Sequence, residues 1–568
     1  MIMTLGLVVT LLITGSCEEF LTRNNLTAFT DENFWISESN VRAFSWRLYG
    51  EFGGFSGSEF LFHGNLRMTS DLLEPEFTML LTTPSTGGGD WSSSYTNIRS
   101  TNLLLERLDQ VEMTPEKKDH FTGVAKFFRS LNYFNLVRGY GDAVLRLTYE
   151  APDIPDEEMF IGRTDRKVIV DLIIADLTEA QQKLLDTDLE GAITKDVATA
   201  LLARVALFEG TFRKYHSLGD YQGYLTTAAN AAGTLVSSTK YSLQPSFRTK
   251  FSADNLAGNP EVIFYKRHEP TSQAHSTQAY MTCSAPPVPS PNKFTVERYL
   301  CTDGLPISQS PLYQGDHGLD NVLANRDKRL LESIWTDQLS YNGYEYKDYV
   351  FKSTTGYTFN LFLRPENEKS PGEQDIMAVG RNHTDAPLYT LPEMYLIYAE
   401  AKAELGTLTQ TDLDNTVNKL RARAGVAALQ VSGSDAFVGG VQVNDPARTA
   451  ELESITKGGI VSPIIWEIRR ERMAEFIGWL LLRHMDIDRW AKGEYIDTNL
   501  NPDAAKGAWL GTAPNDLVNV GADGYIRHHP MTNQRVWQEK HYLENIPTNE
   551  INSYPEALRP LLKQNPGW

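Results

Sequence analysis

The chain has 568 residues, enough for one large core or two to four ordinary domains, and its 41% hydrophobic and 22% charged residues are the composition of a globular protein. A net charge of −19 argues against nucleic acid as a partner, because phosphate binding needs a basic surface, and it disfavours attachment to anionic lipid through a basic patch. Aromatic residues reach 11%, with ten Trp and 25 Tyr, enough to fill a core and still offer rings for stacking on a flat ligand.

Leu5 to Ile13 is an apolar run too short to span a bilayer as a helix, and it reads as the core of a secretory signal over residues 1–16. Gly15 and Ser16 before Cys17 resemble a bacterial lipobox, in which the cysteine is acylated and becomes the new N-terminus. No Lys or Arg precedes the run, and Thr14 stands where a lipobox has an aliphatic residue, so an ordinary signal with an incidental cysteine is the other reading. Residues 17–25 would then be a lipidated tether, with Glu18 and Glu19 directly after the anchor.

The body, 26–568, opens with Asp31 as the cap of a helix through Val41, Phe44 and Leu48. Gly50 to Gly64 reads as loop. Asp90 to Tyr95 leads into a helix with Ile98, Leu104 and Leu105 on its apolar face. Further helices are expected over Phe121–Val137, over Val168–Leu185, along the stripe Val197, Leu201, Val205 and Phe208, and over Tyr224–Val236. From Tyr241 to about Gly380 helical periodicity fades into loop texture, with short strands at Glu261–Tyr265 and Tyr349–Lys352. Helix returns at Pro392–Leu405, and Asp412–Gly425 completes a hairpin with it.

Pro463 to Trp490 carries the densest charge in the chain. Pro463 suits a helix start, Gly478 permits a bend, and Arg483, Asp486 and Arg489 fall on one face at steps of three. So many guanidinium groups beside aromatics point to an ion-paired joint, with a catalytic arginine cluster as the sharper alternative. Elsewhere the chemistry is sparse. The sequence has no G-x-S-x-G elbow, phosphate-cradling G-x-x-x-x-G-K-[ST] loop or H-E-x-x-H. Asp186 to Val197 starts like a calcium loop but lacks the final glutamate, and no metal or cofactor site is expected. Cys283 and Cys301 can pair in an oxidising compartment, although nothing in the sequence fixes their separation.

Several motifs, in order, resemble the SusD/RagB family of outer-membrane nutrient-binding lipoproteins. They are Asn33-Phe34-Trp35, Ala125 with Arg129, Tyr133 and Phe134, Asp303-Gly304-Leu305-Pro306-Ile307, Asn325 to Leu330 with Lys328 in place of a proline, and Glu393 to Ala401. Arg469-Arg470-Glu471-Arg472, Arg483 to Trp490 and the terminal Gln564 to Trp568 complete the set. The resemblance implies a mainly α, tetratricopeptide-like scaffold of helical hairpins (26–240 and 381–568) with a loop-rich insert (241–380) containing short strands. It implies a non-enzymatic protein on the outer face of the outer membrane, lipid-anchored at Cys17, that captures oligosaccharides for a SusC-like TonB-dependent transporter and acts as its lid. A peptide-binding relative of the RagB branch, or a secreted glycosidase with paired carboxylates, are the alternatives.

In such proteins the ligand site is built by early loops and by loops around the D-G-L-P-I element. That points first to Trp91, whose ring stands in a Ser-rich segment, and to Asp71 as a hydroxyl acceptor, with Cys301, Tyr313, Arg364 and Arg381 behind them. For Trp91 the alternative is a place in the core; for Asp71 it is a cap on a following helix.

Overall fold

Helix ends follow from caps written in the sequence. The computed structural model describes residues 34–55, 69–74, 79–150, 154–278, 289–334, 353–363, 380–513, 518–530 and 532–568. Asp31, Cys17, Cys283, Arg364 and the strand expected at Tyr349–Lys352 lie outside these residues. Ser37 caps α1 (Glu38–Trp46), and α2 (Trp91–Arg107) follows the first loop. Thr114 caps α3 (Pro115–Tyr140), with Pro115 where a missing N–H costs nothing, and Gly141 at φ +76° ends it. Asp165 caps α4 (Arg166–Lys183), which leads to α5 (Lys195–Tyr215) and α6 (Gln222–Val236). After the insert come α7 (Leu391–Glu404), α8 (Val417–Ala424), α9 (Pro463–Glu475) and α10 (Leu480–Arg489).

The helices pack as successive hairpins: α2 on α3, α3 on α4, α4 on α5, α5 on α6 and α6 on α7. Small residues set the close approaches. A Cβ at Gly210 of α5 would stand 2.8 Å from the Leu225 side chain on α6, and one at Gly123 of α3 would stand 2.9 Å from Leu184. This is the mainly α, tetratricopeptide-like scaffold that the resemblance implies. Among the described residues no helix is long and apolar enough to cross a membrane. One expected helix divides: Asp412–Gly425 is broken at Thr416 (φ −131°, ψ −92°), leaving Gln410–Asn415 and α8.

Strands are few and short. β1 (Leu72–Leu73) pairs antiparallel with β3 (Ser290–Pro291), tying an early loop to the insert. β2 (Val262–Lys266) pairs antiparallel with β4 (Ala386–Thr390), so the two ends of the insert are fastened to one another directly before α7. β5 (Leu429–Ser432), β6 (Asp435–Val438) and β7 (Val441–Gln442) form a small antiparallel sheet.

The charged residues of α9 and α10 are buried, and they are matched rung by rung. Glu467, Glu471 and Glu475 stand at steps of four along α9. Arg421 of α8 bridges the first two, at 3.1 Å from Glu467 and 2.7 Å from Glu471. Arg329 bridges the next pair, at 2.8 Å from Glu471 and 3.3 Å from Glu475. Lys250 and Arg423 then join Glu475 to Glu261, with Lys250 at 3.0 Å and 2.8 Å from the two carboxylates. On α10, Asp486 receives Arg472 at 2.9 Å, Arg483 at 2.8 Å and Arg489 at 2.7 Å. Arg489 also forks onto Glu400 of α7 at 2.6 and 2.8 Å, and the Trp490 indole N–H donates to the same carboxylate. Burial alone would raise the Glu475 carboxyl; Arg423, Lys250 and Arg329 override that and hold it at about 2. Gly478 at φ +75° supplies the bend between the two helices.

Two consequences can be measured. Asp486→Asn removes the counter-charge shared by three buried guanidinium groups and leaves them only Asp71 and Glu400, so chemical denaturation will show a loss of about 3–5 kcal/mol, the usual cost of breaking a buried pair from one side. Lys167→Ala, which removes an exposed pair with Asp171, leaves the midpoint unchanged. The second concerns acid. His275 is 1% exposed, its Nε2 donates to the Thr384 carbonyl at 3.1 Å, and its Nδ1 accepts the Thr277 N–H at 3.2 Å. Both nitrogens are committed to the neutral ring, and burial, then the nearby His268, lowers its pKa to about 3. Because the unfolded ring takes up its proton near 6.5, this contribution is complete above pH 6.5 and is lost as pH falls below it. Calorimetry between pH 7 and 5 will show a falling melting temperature and a shallower fall in His275→Asn, whereas Glu475 adds its own loss only below about pH 4.5.

Candidate functional site

A set of β-bridges brings two flat rings together at the surface of the loop-rich part. Trp509 bridges antiparallel to Tyr525 and parallel to His317. Leu510 and Gly511 donate to the Gly524 carbonyl at 2.8 and 3.1 Å, and Ile526 donates to Ala508 at 2.9 Å. Gly524, at φ +84°, is required there: a Cβ would stand 2.4 Å from the Trp509 Nε1. On the other side the Asn321 amide donates to the His317 carbonyl at 2.8 Å, fixing the turn that presents the imidazole. The His317 and Trp509 rings stack with centroids 4.0 Å apart and planes 10° from parallel, and the His317 side chain is 64% exposed.

Polar groups of both signs surround the stack. The Tyr525 hydroxyl donates to the Asp316 carboxylate. Burial, and then the bond to Asp316, push this phenol up, so it remains a donor. Lys293 and Lys506 hold their ammonium groups 5.3 and 5.5 Å from the Tyr525 ring centre. Lys506 pairs with Asp503 at 2.9 Å, and Arg527 pairs with Asp523 at 2.6 Å. A stacked pair of rings bordered by compensated donors and acceptors suits the apolar face and the hydroxyls of a sugar ring.

The residues singled out from sequence fare differently. Tyr313 belongs to this neighbourhood: it is half-buried, lies under Arg326 at 5.5 Å and feels the charge of Asp316. Trp91 is core, not an open plate. It is 3% exposed, and Tyr95 and Tyr140 meet it edge to face at 5.2 and 5.0 Å. Asp71 is neither a free acceptor nor a helix cap. Arg483 holds its carboxylate at 2.6 Å, and the leucines that follow form β1. Cys301 is fully buried, bridged to Arg326, with burial raising its thiol. Arg381 is exposed beside Asn382, which bridges to His275. His317, Trp509 and Tyr525 escaped the sequence reading. Their signal was glycine flanking, Trp509-Leu510-Gly511 and Gly524-Tyr525, which shows only once the bridge is known.

A family model described as "SusD family" matches residues 260–568, and one described as "Starch-binding associating with outer membrane" matches residues 68–207. Two SusD-like proteins of Formosa agariphila are 25% and 23% identical to the chain over 275 and 310 residues. Those matches cover 44% and 50% of this chain and 48% and 57% of the relatives, so the chain spans about half the length of each. Among solved structures, a SusD-like carbohydrate-binding protein of Bacteroides fragilis superposes with a TM-score of 0.69 at 19% identity, covering 91% of this chain and 98% of its own. A laminarin-binding SusD-like protein superposes at 0.56 and 18% identity, covering 94% and 100%. At such identities the likeness is one of fold.

Proposed function

Since the chain belongs to the SusD family, we propose that it captures oligosaccharides and passes them to a SusC-like TonB-dependent transporter, over which it acts as an extracellular lid. The observation that carries the capture step is the His317–Trp509 stack, with its exposed imidazole; His317 follows the Asp303–Ile307 element in the insert, where ligand loops were expected, whereas Trp509 comes from the C-terminal part of the chain, where they were not. A stacked ring covers the apolar face of a pyranose, while Asp316, Tyr525 and the flanking Lys and Asp side chains exchange hydrogen bonds with its hydroxyls. Nothing in this arrangement calls for covalent chemistry; binding is stacking and hydrogen bonding. The family match described as starch-binding and associated with the outer membrane supports a saccharide over a peptide, and it supports attachment at the cell surface through an acylated Cys17.

The test is calorimetry of the body from residue 26 onward against a panel of neutral oligosaccharides and peptides, with chromatography for products. Binding of a saccharide without turnover is the expected result. Trp509→Ala will weaken it at least about fivefold, the 1 kcal/mol or so that a stacked ring contributes, and His317→Ala by a similar factor. Trp91→Ala, a core change, will lower the melting temperature without changing the affinity of the folded fraction. Peptide binding alone would replace the saccharide reading, and release of shortened sugars would overturn the non-enzymatic one.

A further inference from the structure

A cavity of about 950 Å³ lies outside the insert, between the start of α4, the end of α5 and the C-terminal segment. Its volume is that of an ordinary small-ligand site. Its charge is unusual for a chain of net −19: seven Lys and Arg side chains line it, against the carboxylates of Asp142, Asp165 and Glu539.

Those three carboxylates are already committed. Asp142 accepts the backbone N–H of Arg166 at 2.9 Å, and Asp165 accepts that of Lys167 at 2.8 Å, so both serve the positive end of α4. Glu539 is paired with Lys457. Behind the wall, Arg166 and Arg213 share the single carboxylate of Glu209, at 2.7 and 3.4 Å. Among the described residues, Arg163, Lys540 and Lys563 make no ion pair. Arg163 donates only to neutral oxygens: the carbonyls of Asp142, Lys563 and Tyr140 and the Asn565 side chain, at 2.6 to 3.0 Å. Burial lowers its pKa, the direction for a cation whose lost hydration is not made good by an anion. Lys540 reaches the Thr82 carbonyl at 2.8 Å and lies over the Trp568 ring. Lys563 is exposed at the mouth.

We propose that this cavity is a second ligand site, for a sulfate or phosphate group, free or carried on a sugar. Arg163, fixed by four hydrogen bonds, is the preorganised element, and Lys540 and Lys563 supply the further cations for the anion. An oxyanion there supplies the charge that the wall lacks, in a recess where bulk salt screens it less than at an open surface.

The experiment is thermal shift and calorimetry of the full body with sodium sulfate, sodium phosphate, glucose 6-sulfate and glucose, sodium chloride holding the ionic strength constant. A saturable rise in melting temperature with the anions, absent with chloride and glucose, is expected. Lys540→Glu/Lys563→Glu will raise the half-saturating concentration about tenfold or more. Should that pair unfold the protein, Lys563→Gln at an exposed position provides the test, with a smaller rise in the same direction. Equal response to free and sugar-borne sulfate assigns the site to the free anion; response to glucose 6-sulfate alone assigns it to a sugar ester. No saturation, an equal effect of glucose, or unchanged affinity in the folded lysine variants overturns the proposal. Trp509→Ala must keep its anion response, so failure of the His317–Trp509 platform and failure of this site are read separately.

Discussion

Charge buried in a low-dielectric interior must be met within a few ångströms, and this fold closes around that requirement. The rungs along α9 come from distant segments: Lys250 and Arg329 from the insert, Arg421 and Arg423 from α8. On α10, Arg483 reaches back to Asp71 and Arg489 to Glu400. Such pairs add little net stability over well-packed apolar residues, because desolvation offsets most of the attraction. Their effect is on register. A slip of one helical turn along α9 would leave a carboxylate at one end and a guanidinium at the other unmatched, each at a cost of several kcal/mol. The joint therefore selects one arrangement of helices and insert from the many that hydrophobic burial alone would accept.

The insert inherits its order from that joint. Glu261 stands directly before β2, Lys250 precedes it, and Arg329 lies in the helix that follows the Asn325–Asp327 turn, so the loops are pinned where they leave the scaffold. From this base the chain builds the His317–Trp509 stack by close backbone contact. Ala508 donates to the Thr355 carbonyl at 2.7 Å, and a Cβ at Gly507 would stand 2.1 Å from the same oxygen. Long irregular loops thus carry rings at the surface without losing their aim, because their ends and their close crossings are fixed.

What could be read from sequence divides along physical lines. Local signals were legible at Pro463 as a helix start, at Gly478 as a bend, and in the step-of-three grouping of Arg483, Asp486 and Arg489, whereas the start at Thr114–Pro115 went unread and that helix was expected only from Phe121. The ion-paired joint was legible because its charges repeat at helical spacing, although its partners on α8 and in the insert were not. The candidate site was not legible. Trp91 drew attention through its Ser-rich surroundings, but Ser94 itself is buried on the same turn of α2, and small polar residues tolerate burial when the helix satisfies them. Asp71 sits 412 positions from Arg483, and no local pattern announces that pairing. Trp509 and His317 are neighbours only through bridges between segments nearly two hundred residues apart, a relation that neither periodicity nor composition encodes.

Where the charges are balanced and where they are not separates the two proposed binding regions. Around Tyr525 each ammonium or guanidinium has its carboxylate, Lys506 with Asp503 and Arg527 with Asp523, so a neutral hydroxylated ligand can exchange hydrogen bonds there without leaving a charge stranded. Around Arg163 the carboxylates are engaged by helix N–H groups and by Lys457, Arg163 itself donates only to neutral oxygens, and Lys540 and Lys563 make no ion pair among the described residues. A neutral sugar would do nothing for that imbalance, whereas an anion would. A strongly acidic chain that leaves uncompensated cations in one recess repels anions in general and admits them at that place, which is the electrostatic condition for a selective site.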